Sequence, residues 1–448
     1  MAHKQMKLGA FFNLPGHHVA SWRHPLTKAD STLNLAYLQE LAQLAERGKF
    51  DMIFFADVLG LRPSGNQSAS AIKLDPLIIL AALASVTRHI GLTATLTTTY
   101  NEPYQVARKF AAIDHLSGGR AAWNVVTSAN DKESVLFGKS KHLEHARRYE
   151  RAEEFVDVVK KLWLSVEREA LVLDKEKGQI LDVEKLHPLD HAGEWFKVEG
   201  LLDAPATPQG HPVIVQAGSS ESGKELAAKT AEVIFTAWQT LEEAQTFYRD
   251  VKGRLAKYGR KPDDLKIMPG VFITVAKTEA EAIAKRKELN SYILPEVGLE
   301  YLSNFIGTDL RGYDVDGPLP AFVENEDKTN PQIRSNLIRA LAEREGLKTI
   351  REVYEQIAGA RGHREIVGTP AQIADQLEEW FLNDGADGFN IMPPTFPEGL
   401  RDVVELVIPE LQRRGLFRTE YESDTLRGNL GLSVPVHPDR KQVQPARL

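Results

Sequence analysis

The chain has 448 residues and no cysteine, which excludes disulfides, thiolate metal sites, iron–sulfur clusters and cysteine nucleophiles. Its 55 basic and 62 acidic residues give a formal net charge of −7, and no basic block is present that would follow a phosphate backbone, so a nucleic-acid partner is not expected. The longest apolar stretch, near residues 76–84, is too short to span a bilayer, and the N-terminal residues soon turn polar, so we expect a cytoplasmic protein with no membrane association.

Short runs of β-branched or aromatic residues alternate with longer helical runs along most of the chain. The first four strands are predicted at LGAFFN, DMIFFADV, IGLTATLTTT and RAAWNVVTS, which begin at residues 8, 51, 90 and 120. Four more are predicted at PVIVQAG, VIFTAWQ, LKIMPGVFITVA and GFNIMPP, which begin at residues 212, 233, 265 and 388. Eight strand-and-helix pairs predict a (β/α)₈ TIM barrel, in which the C-terminal ends of the strands carry the chemistry.

Two insertions and a tail depart from this alternation. A polar segment over 166–211 follows strand four, and a charged helical segment over about 278–367 follows strand seven. The tail, about 416–448, is rich in Pro, Gly and charged residues, and we expect it to wrap the surface or a neighbouring subunit. We therefore predict a single domain over 1–448. An open, doubly wound sheet is the alternative, but no G-x-G-x-x-G follows the first strand.

The segment VIVQAGSSESGKELAAKT comes within one residue of the phosphate loop of nucleotide hydrolases. Glu225 stands where that loop needs a hydroxyl to hold Mg²⁺, so ATP hydrolysis is disfavoured. The segment still places Gly218, Ser219 and Ser220 between a strand and a helix, where backbone N–H groups without helical partners bind anions. A serine-capped helix without a ligand is the alternative at this point.

Other candidates are polar side chains at strand ends and helix starts. Asp57 ends the run FFAD, where a pocket role and a loop-capping role are both open. The threonines of TATLTTT alternate between the two faces of a strand, so only one set points inward. His145 and Tyr149 lie on one face near a helix start, where both can meet an anion. The three histidines of NLPGHHVASWRHP lack a carboxylate at ligand spacing, so they predict a solvated loop and not a metal site.

Four strings in chain order carry a family resemblance: GLTATLTTTYNEPYQVARKFAAIDHLSGGRAAWNVVTS, HARRYERAEE, PVIVQAGSSESG and IPELQRRGLFRTEY. From about residue 7 to 435 the chain resembles the nitrilotriacetate monooxygenase group of the bacterial luciferase-like flavin monooxygenases, with dibenzothiophene-sulfone, EDTA and long-chain alkane monooxygenases as relatives. The resemblance implies a (β/α)₈ barrel with FMN at its C-terminal face. Matched position by position, it assigns FMN contacts to six residues: Asp57, Thr95, His145, Tyr149, Ser219 and Ser220.

The same resemblance implies a two-component monooxygenase. Such an enzyme takes reduced FMN from a separate NAD(P)H-dependent flavin reductase and uses O₂ to oxygenate a small organic substrate, here an aminopolycarboxylate, a sulfur compound or a related xenobiotic. It implies no metal site, and the sequence identifies no catalytic residue. The segment 278–367, together with the loop of His17 and His18, is the candidate lid that excludes water. We expect a homodimer or homotetramer.

Three alternatives remain open at this stage. The first is a flavin-binding barrel without oxygenase activity, and the second is a deazaflavin-dependent oxidoreductase on the same barrel. The third is a phosphohydrolase supported by GSSESGK alone, which would need Mg²⁺-dependent turnover of ATP.

Overall fold

The computed structural model describes residues 4–61, 72–128, 130–320 and 330–438. Nine strands form its main sheet: β1 Lys7–Phe11, β2 Met52–Phe55, β3 Gly91–Thr97, β4 Ala121–Val126, β9 Val213–Ala217, β10 Val233–Thr236, β11 Lys266–Val275, β12 Arg364–Gly368 and β13 Gly388–Met392. Two hairpins lie outside this sheet: β5 Leu171–Asp174 with β6 Gln179–Leu181, and β7 Leu189–Ala192 with β8 Lys197–Gly200. The strand order of the main sheet is β10-β9-β4-β3-β2-β1-β13-β11-β12, and an additional pairing of β10 with β11 closes it.

Helices follow the barrel strands in the alternating order that the sequence predicts. Their bounds are α1 Leu35–Arg47, α2 Pro76–Ala84, α3 Pro103–Ser117, α4 His145–Leu164, α5 Glu221–Thr230, α6 Leu241–Arg254, α7 Glu279–Ser291, α8 Pro295–Ile306, α9 Asn330–Glu345, α10 Ile350–Ala360, α11 Pro370–Leu382, α12 Glu398–Asp402, α13 Ile408–Arg413 and α14 Leu426–Asn429. The predicted barrel of eight parallel strands, with insertions after strands four and seven, is confirmed. The ninth strand, β12, was not predicted; it lies inside the second insertion and pairs in parallel with the C-terminal half of β11.

The chain folds as two compact units, each assembled from separate stretches of sequence. The first unit comprises Met1–Leu74, Phe235–Asp250 and Ile267–Thr419. In it, β1 pairs in parallel with both β2 and β13. The buried Asp51 carboxylate accepts hydrogen bonds from the Leu8 N–H (2.7 Å) and from the Arg418 guanidinium (2.6 Å), which ties the start of β2 to the chain after the last barrel helix.

The helices of the second insertion have an apolar core of their own within the first unit. Buried side chains of α8, α9 and α10 form it, among them Leu302, Ile338, Val353 and Ile357. Ala20, from the loop after β1, packs into the same cluster. The neighbouring Val19 N–H donates to Ala358 O of α10 at 2.9 Å, so this loop and the insertion pack as one assembly.

The second unit comprises Asp75–Ile234, Val251–Lys266 and Glu420–Leu448. Here β3, β4 and β9 run parallel, with Thr95 opposite Asn124 and Val125 opposite Gln216. Both hairpins of the first insertion belong to this unit. No described helix is long and apolar enough to cross a membrane.

The C-terminal tail folds against the second unit, and its part from 439 to 448 lies outside the described residues. The Leu426 N–H donates to Gly119 O at 3.1 Å, and the Arg427 N–H donates to Gln209 Oε1 at 3.1 Å. The Arg427 guanidinium, only 1% exposed, pairs with Glu232, whose Oε2 also accepts from a backbone N–H of β9. The tail therefore covers the surface of its own chain, which is one of the two arrangements expected from the sequence.

Candidate active site

A helix N-terminus at the C-terminal end of β9 forms the centre of the candidate site. β9 ends at Ala217, and Gly218 follows with φ +145°, a conformation that side-chain-bearing residues rarely adopt. Ser220 then caps α5, because its Oγ accepts the Gly223 N–H at 3.1 Å. The Gln216 amide donates to Gly223 O at 3.0 Å and fixes the strand to the helix. Ser219 lies exposed between strand and helix, next to the first-turn N–H groups that bind anions.

The first turns of α4 bring Tyr149 and His145 to the same place. A methyl group built on Gly223 would lie only 3.3 Å from the Tyr149 hydroxyl, so the phenol approaches the start of α5 closely. The His145 and Tyr149 rings lie 4.9 Å apart, as their spacing of four residues on one helix face predicts. Partial burial and the nearby Arg148 guanidinium lower the pKa of His145.

Arg148 belongs to this region and was not predicted from the sequence. It follows His145 by three residues on α4, and its side chain is 8% exposed. Burial lowers the pKa of its guanidinium, and within the described part of the chain its Nε has no hydrogen-bond partner. Buried guanidinium groups are normally fully paired, so this Nε–H is open to a partner from outside the described residues.

Thr95 lies on β3, a barrel strand of the same unit. Its hydroxyl accepts from the Asn124 amide at 2.7 Å, and both side chains are buried. Among the described residues, Asn124 Oδ1 and Gln216 Oε1 accept no hydrogen bond. Buried carbonyl oxygens that accept no hydrogen bond from the described residues can accept one from a ligand that carries N–H or O–H donors.

Glu225, which disfavoured ATP hydrolysis, is occupied away from the anion site. Its carboxylate pairs with Lys257 and Arg254 and accepts the Tyr258 hydroxyl. These contacts, chiefly those with Lys257 and Tyr258, lower its pKa to about 2. Glu225 therefore fastens α5 to the chain that follows α6.

Asp57 belongs to the first unit. It lies two residues after the end of β2, and its carboxylate accepts the Val58 N–H at 2.9 Å. The other five predicted residues all lie in the second unit, where Tyr149 and Ser220 meet at the start of α5.

The prediction of a solvated loop at His17 and His18 is wrong, because these side chains are 3% and 4% exposed. The His17 Nε2–H donates to Phe11 O at 2.9 Å, and the His18 Nε2–H donates to Asn290 Oδ1 at 2.9 Å. Burial lowers the pKa of His17, and it lowers that of His18 to about 4, so both rings are neutral near pH 7. The prediction failed because the sequence around these histidines is polar and gives no indication that they pack on the insertion helices.

An aromatic cluster lies where β1 and β2 end in the first unit. Phe11 packs edge-on to Phe54 (5.0 Å between ring centroids), to Phe235 (5.6 Å) and to His17 (4.5 Å), while His363 stacks on Phe235 at 5.1 Å. We name these five residues the aromatic cluster.

Arg361, just beyond α10, reaches the aromatic cluster. Its guanidinium donates to His17 Nδ1 at 2.6 Å and lies 5.8 Å from the centre of the Phe11 ring.

Comparison with known proteins agrees with this architecture. Residues 14–388 match the family model of the luciferase-like monooxygenases. The chain is 52% identical to N-acetyl-S-(2-succino)cysteine monooxygenase of Bacillus subtilis, over 97% of this chain and 98% of that protein. It is also 52% identical to nitrilotriacetate monooxygenase component A of Aminobacter aminovorans, with the same coverage. A crystal structure of riboflavin lyase, containing a modified FMN and riboflavin, superposes with a TM-score of 0.84 at 32% identity and covers 97% of each chain. The chain therefore belongs to the luciferase-like monooxygenase family, and it is a flavin-dependent monooxygenase.

Proposed function

We propose that this chain binds FMN and, with reduced FMN delivered by a separate NAD(P)H-dependent flavin reductase, inserts one oxygen atom of O₂ into a small organic substrate. The observation that carries the proposal is the anion site of the second unit. A single phosphate monoester needs a helix N-terminus and hydroxyl donors but no Mg²⁺, and the start of α5 with Tyr149 offers these groups.

The residues present fit this cofactor. Ser219, Ser220, Tyr149 and His145 would hold the phosphate. Thr95 would contact the flavin, beside the carbonyl oxygens of Asn124 and Gln216 that accept no hydrogen bond from the described residues. The resemblance also assigns a flavin contact to Asp57, which lies in the first unit. Reduced FMN, when bound, supplies the electrons with which one atom of O₂ becomes water and the other is transferred to the substrate.

The protein itself has to hold the reactants and exclude water. The aromatic cluster, with the buried neutral ring of His17, is the apolar part of the first unit to which we assign this exclusion of water. The loop after β1 packs on the insertion helices, which supports the proposal that loop and insertion together cover the reacting groups. No side chain is assigned as an acid or a base.

We further propose that the substrate carries carboxylate groups. The Arg361 guanidinium lies beside the aromatic cluster, and a guanidinium binds a carboxylate through paired hydrogen bonds. Two of the relatives are named for nitrilotriacetate and for N-acetyl-S-(2-succino)cysteine, and both of these compounds are carboxylates. An aminopolycarboxylate and a thioether carboxylate are therefore the first substrates to test.

Oxygen consumption with FMN, NADH and a flavin reductase tests the proposed function. We expect substrate-dependent product with nitrilotriacetate or N-acetyl-S-(2-succino)cysteine, and none with an uncharged analogue such as a dialkyl sulfide. FMN binding without product from any of these compounds would favour a flavin-binding barrel without oxygenase activity. Tighter binding of a deazaflavin than of FMN would contradict the choice of cofactor.

A further inference from the structure

Arg148 is a buried cation of the second unit, and its Nε has no hydrogen-bond partner among the described residues. The Nε of Arg427 is in the same state, but the guanidinium of Arg427 is paired with Glu232. The Arg148 side chain is 8% exposed, and the carboxylates of Asp131 and Glu133 influence it electrostatically. Neither carboxylate forms an ion pair with it within 4.0 Å in the part of the chain that the structure describes. A buried guanidinium in this state costs several kcal/mol unless another anion compensates it, by the general cost of burying an unpaired charge.

The position of Arg148 on α4 points to that anion. Side chains three and four residues apart share a helix face, so His145, Arg148 and Tyr149 line one side of the first turns of α4. His145 responds electrostatically to Arg148, and the Tyr149 hydroxyl lies beside the start of α5. Arg147, by contrast, turns away: it pairs with Glu150 and Glu194 at the surface and packs over the Trp195 ring.

We infer that Arg148 binds the phosphate of the flavin nucleotide, as a sixth group of the anion site beside Ser219, Ser220, Tyr149, His145 and the N–H groups of α5. This inference rests on the proposed function, since it names a residue of the same cofactor site. A guanidinium adds full charge and a planar set of donors to a site otherwise built from dipoles and hydroxyls. The predicted consequence is selectivity for FMN over riboflavin, which has the same ring and no phosphate.

Arg148→Met and the matched control Arg147→Met test the inference. Fluorescence titration of the apoprotein should show FMN affinity about 10- to 100-fold lower for Arg148→Met, the range expected for one charge-assisted hydrogen bond. Riboflavin affinity should stay unchanged in both variants, and Arg147→Met should bind FMN like the parent protein. Arg148→Lys, which keeps the charge, should lose less affinity for FMN than Arg148→Met. If Arg148→Met does not fold, Arg148→Lys is the variant that tests the inference.

Inorganic phosphate gives a second readout that needs no flavin. We expect it to raise the melting temperature of the parent protein and of Arg147→Met, and to have little effect on Arg148→Met. Equal losses of FMN and riboflavin affinity in Arg148→Met and Arg148→Lys, or a phosphate response that persists in both, would overturn the inference and assign Arg148 to the packing of residues 131–137. If the parent protein has no affinity for FMN, the proposed function itself fails.

Discussion

Arg361 adopts the left-handed backbone conformation, with φ 52°, immediately after α10. Glycine is the usual residue at such a helix end, because a side chain there costs energy. The chain instead keeps a long cationic side chain whose guanidinium contacts His17 and lies near Phe11.

Replacing Arg361 with Met tests the role of its charge in substrate binding. We expect the KM for a carboxylate substrate to rise about 10- to 100-fold, because a charge-assisted hydrogen bond is lost, while FMN affinity stays unchanged. Arg351→Met is the control: Arg351 lies on α10, the helix that precedes Arg361, and pairs with Asp316 at the surface. Steady-state oxygen consumption and an FMN titration measure both quantities. An unchanged KM in Arg361→Met would contradict the proposed carboxylate contact.

Some residues of the proposed site were nominated from the sequence and others were not. Ser220 was nominated because a glycine and a serine between a strand and a helix predict a helix N-terminus that can bind an anion. Tyr149 was nominated because it lies four residues after His145, on the same face of a helix. Arg148 and Arg361 were not, because their significance lies in burial and in contacts with distant segments. A charged residue in a polar helix gives no local sign that it is buried.

At the scale of elements, hydrophobic runs predicted the eight barrel strands closely. β2 occupies residues 52–55 of the predicted run DMIFFADV, and β11 matches LKIMPGVFITVA almost completely. β12 was missed because REIVG is short and partly exposed, and its pairing with β11 depends on the fold of the insertion.

The pair of Arg427 and Glu232 shows how a tail element completes the second unit. Burial alone would raise the pKa of Glu232, but the adjacent Arg427 lowers it to about 2. We expect Glu232→Gln to destabilise the protein by about 3–5 kcal/mol, the general cost of removing one partner from a buried ion pair. Urea denaturation followed by circular dichroism measures the loss. Glu225→Gln is the control, because the Glu225 carboxylate is partly exposed and has several surface partners; this variant should lose much less stability. Equal losses of stability in the two variants would contradict this account.

At the scale of the whole molecule, buried neutral histidines determine part of the pH dependence of stability. The pKa of His18 is lowered to about 4 and that of His211 to about 3, chiefly by burial, and that of His17 is also lowered. The unfolded chain therefore binds more protons than the folded one below about pH 6.5, and stability falls as the pH falls from there towards 4. Asp114 acts in the opposite direction, because burial raises its folded pKa to about 6 and thereby favours folding as the pH falls.

His18→Gln isolates one of these contributions. The pKa of His18 is about 4 in the folded protein and about 6.5 in the unfolded chain. Because of this difference, the free energy of unfolding falls by up to about 3 kcal/mol between neutral pH and pH 4. We expect the variant to lose stability less steeply between pH 6.5 and 4 than the parent protein. Thermal unfolding at several pH values measures the slopes. Parallel slopes would show that His18 is not buried as a neutral ring.

The contact between Arg427 and Glu232 spans 195 residues of sequence, and it has a consequence for synthesis. While the chain is being translated, Glu232 leaves the ribosome long before its cationic partner exists, so the second unit cannot bury that carboxylate at low cost until nearly the whole polypeptide has emerged. Nascent chains that end before residue 426 should therefore remain protease-sensitive around β10.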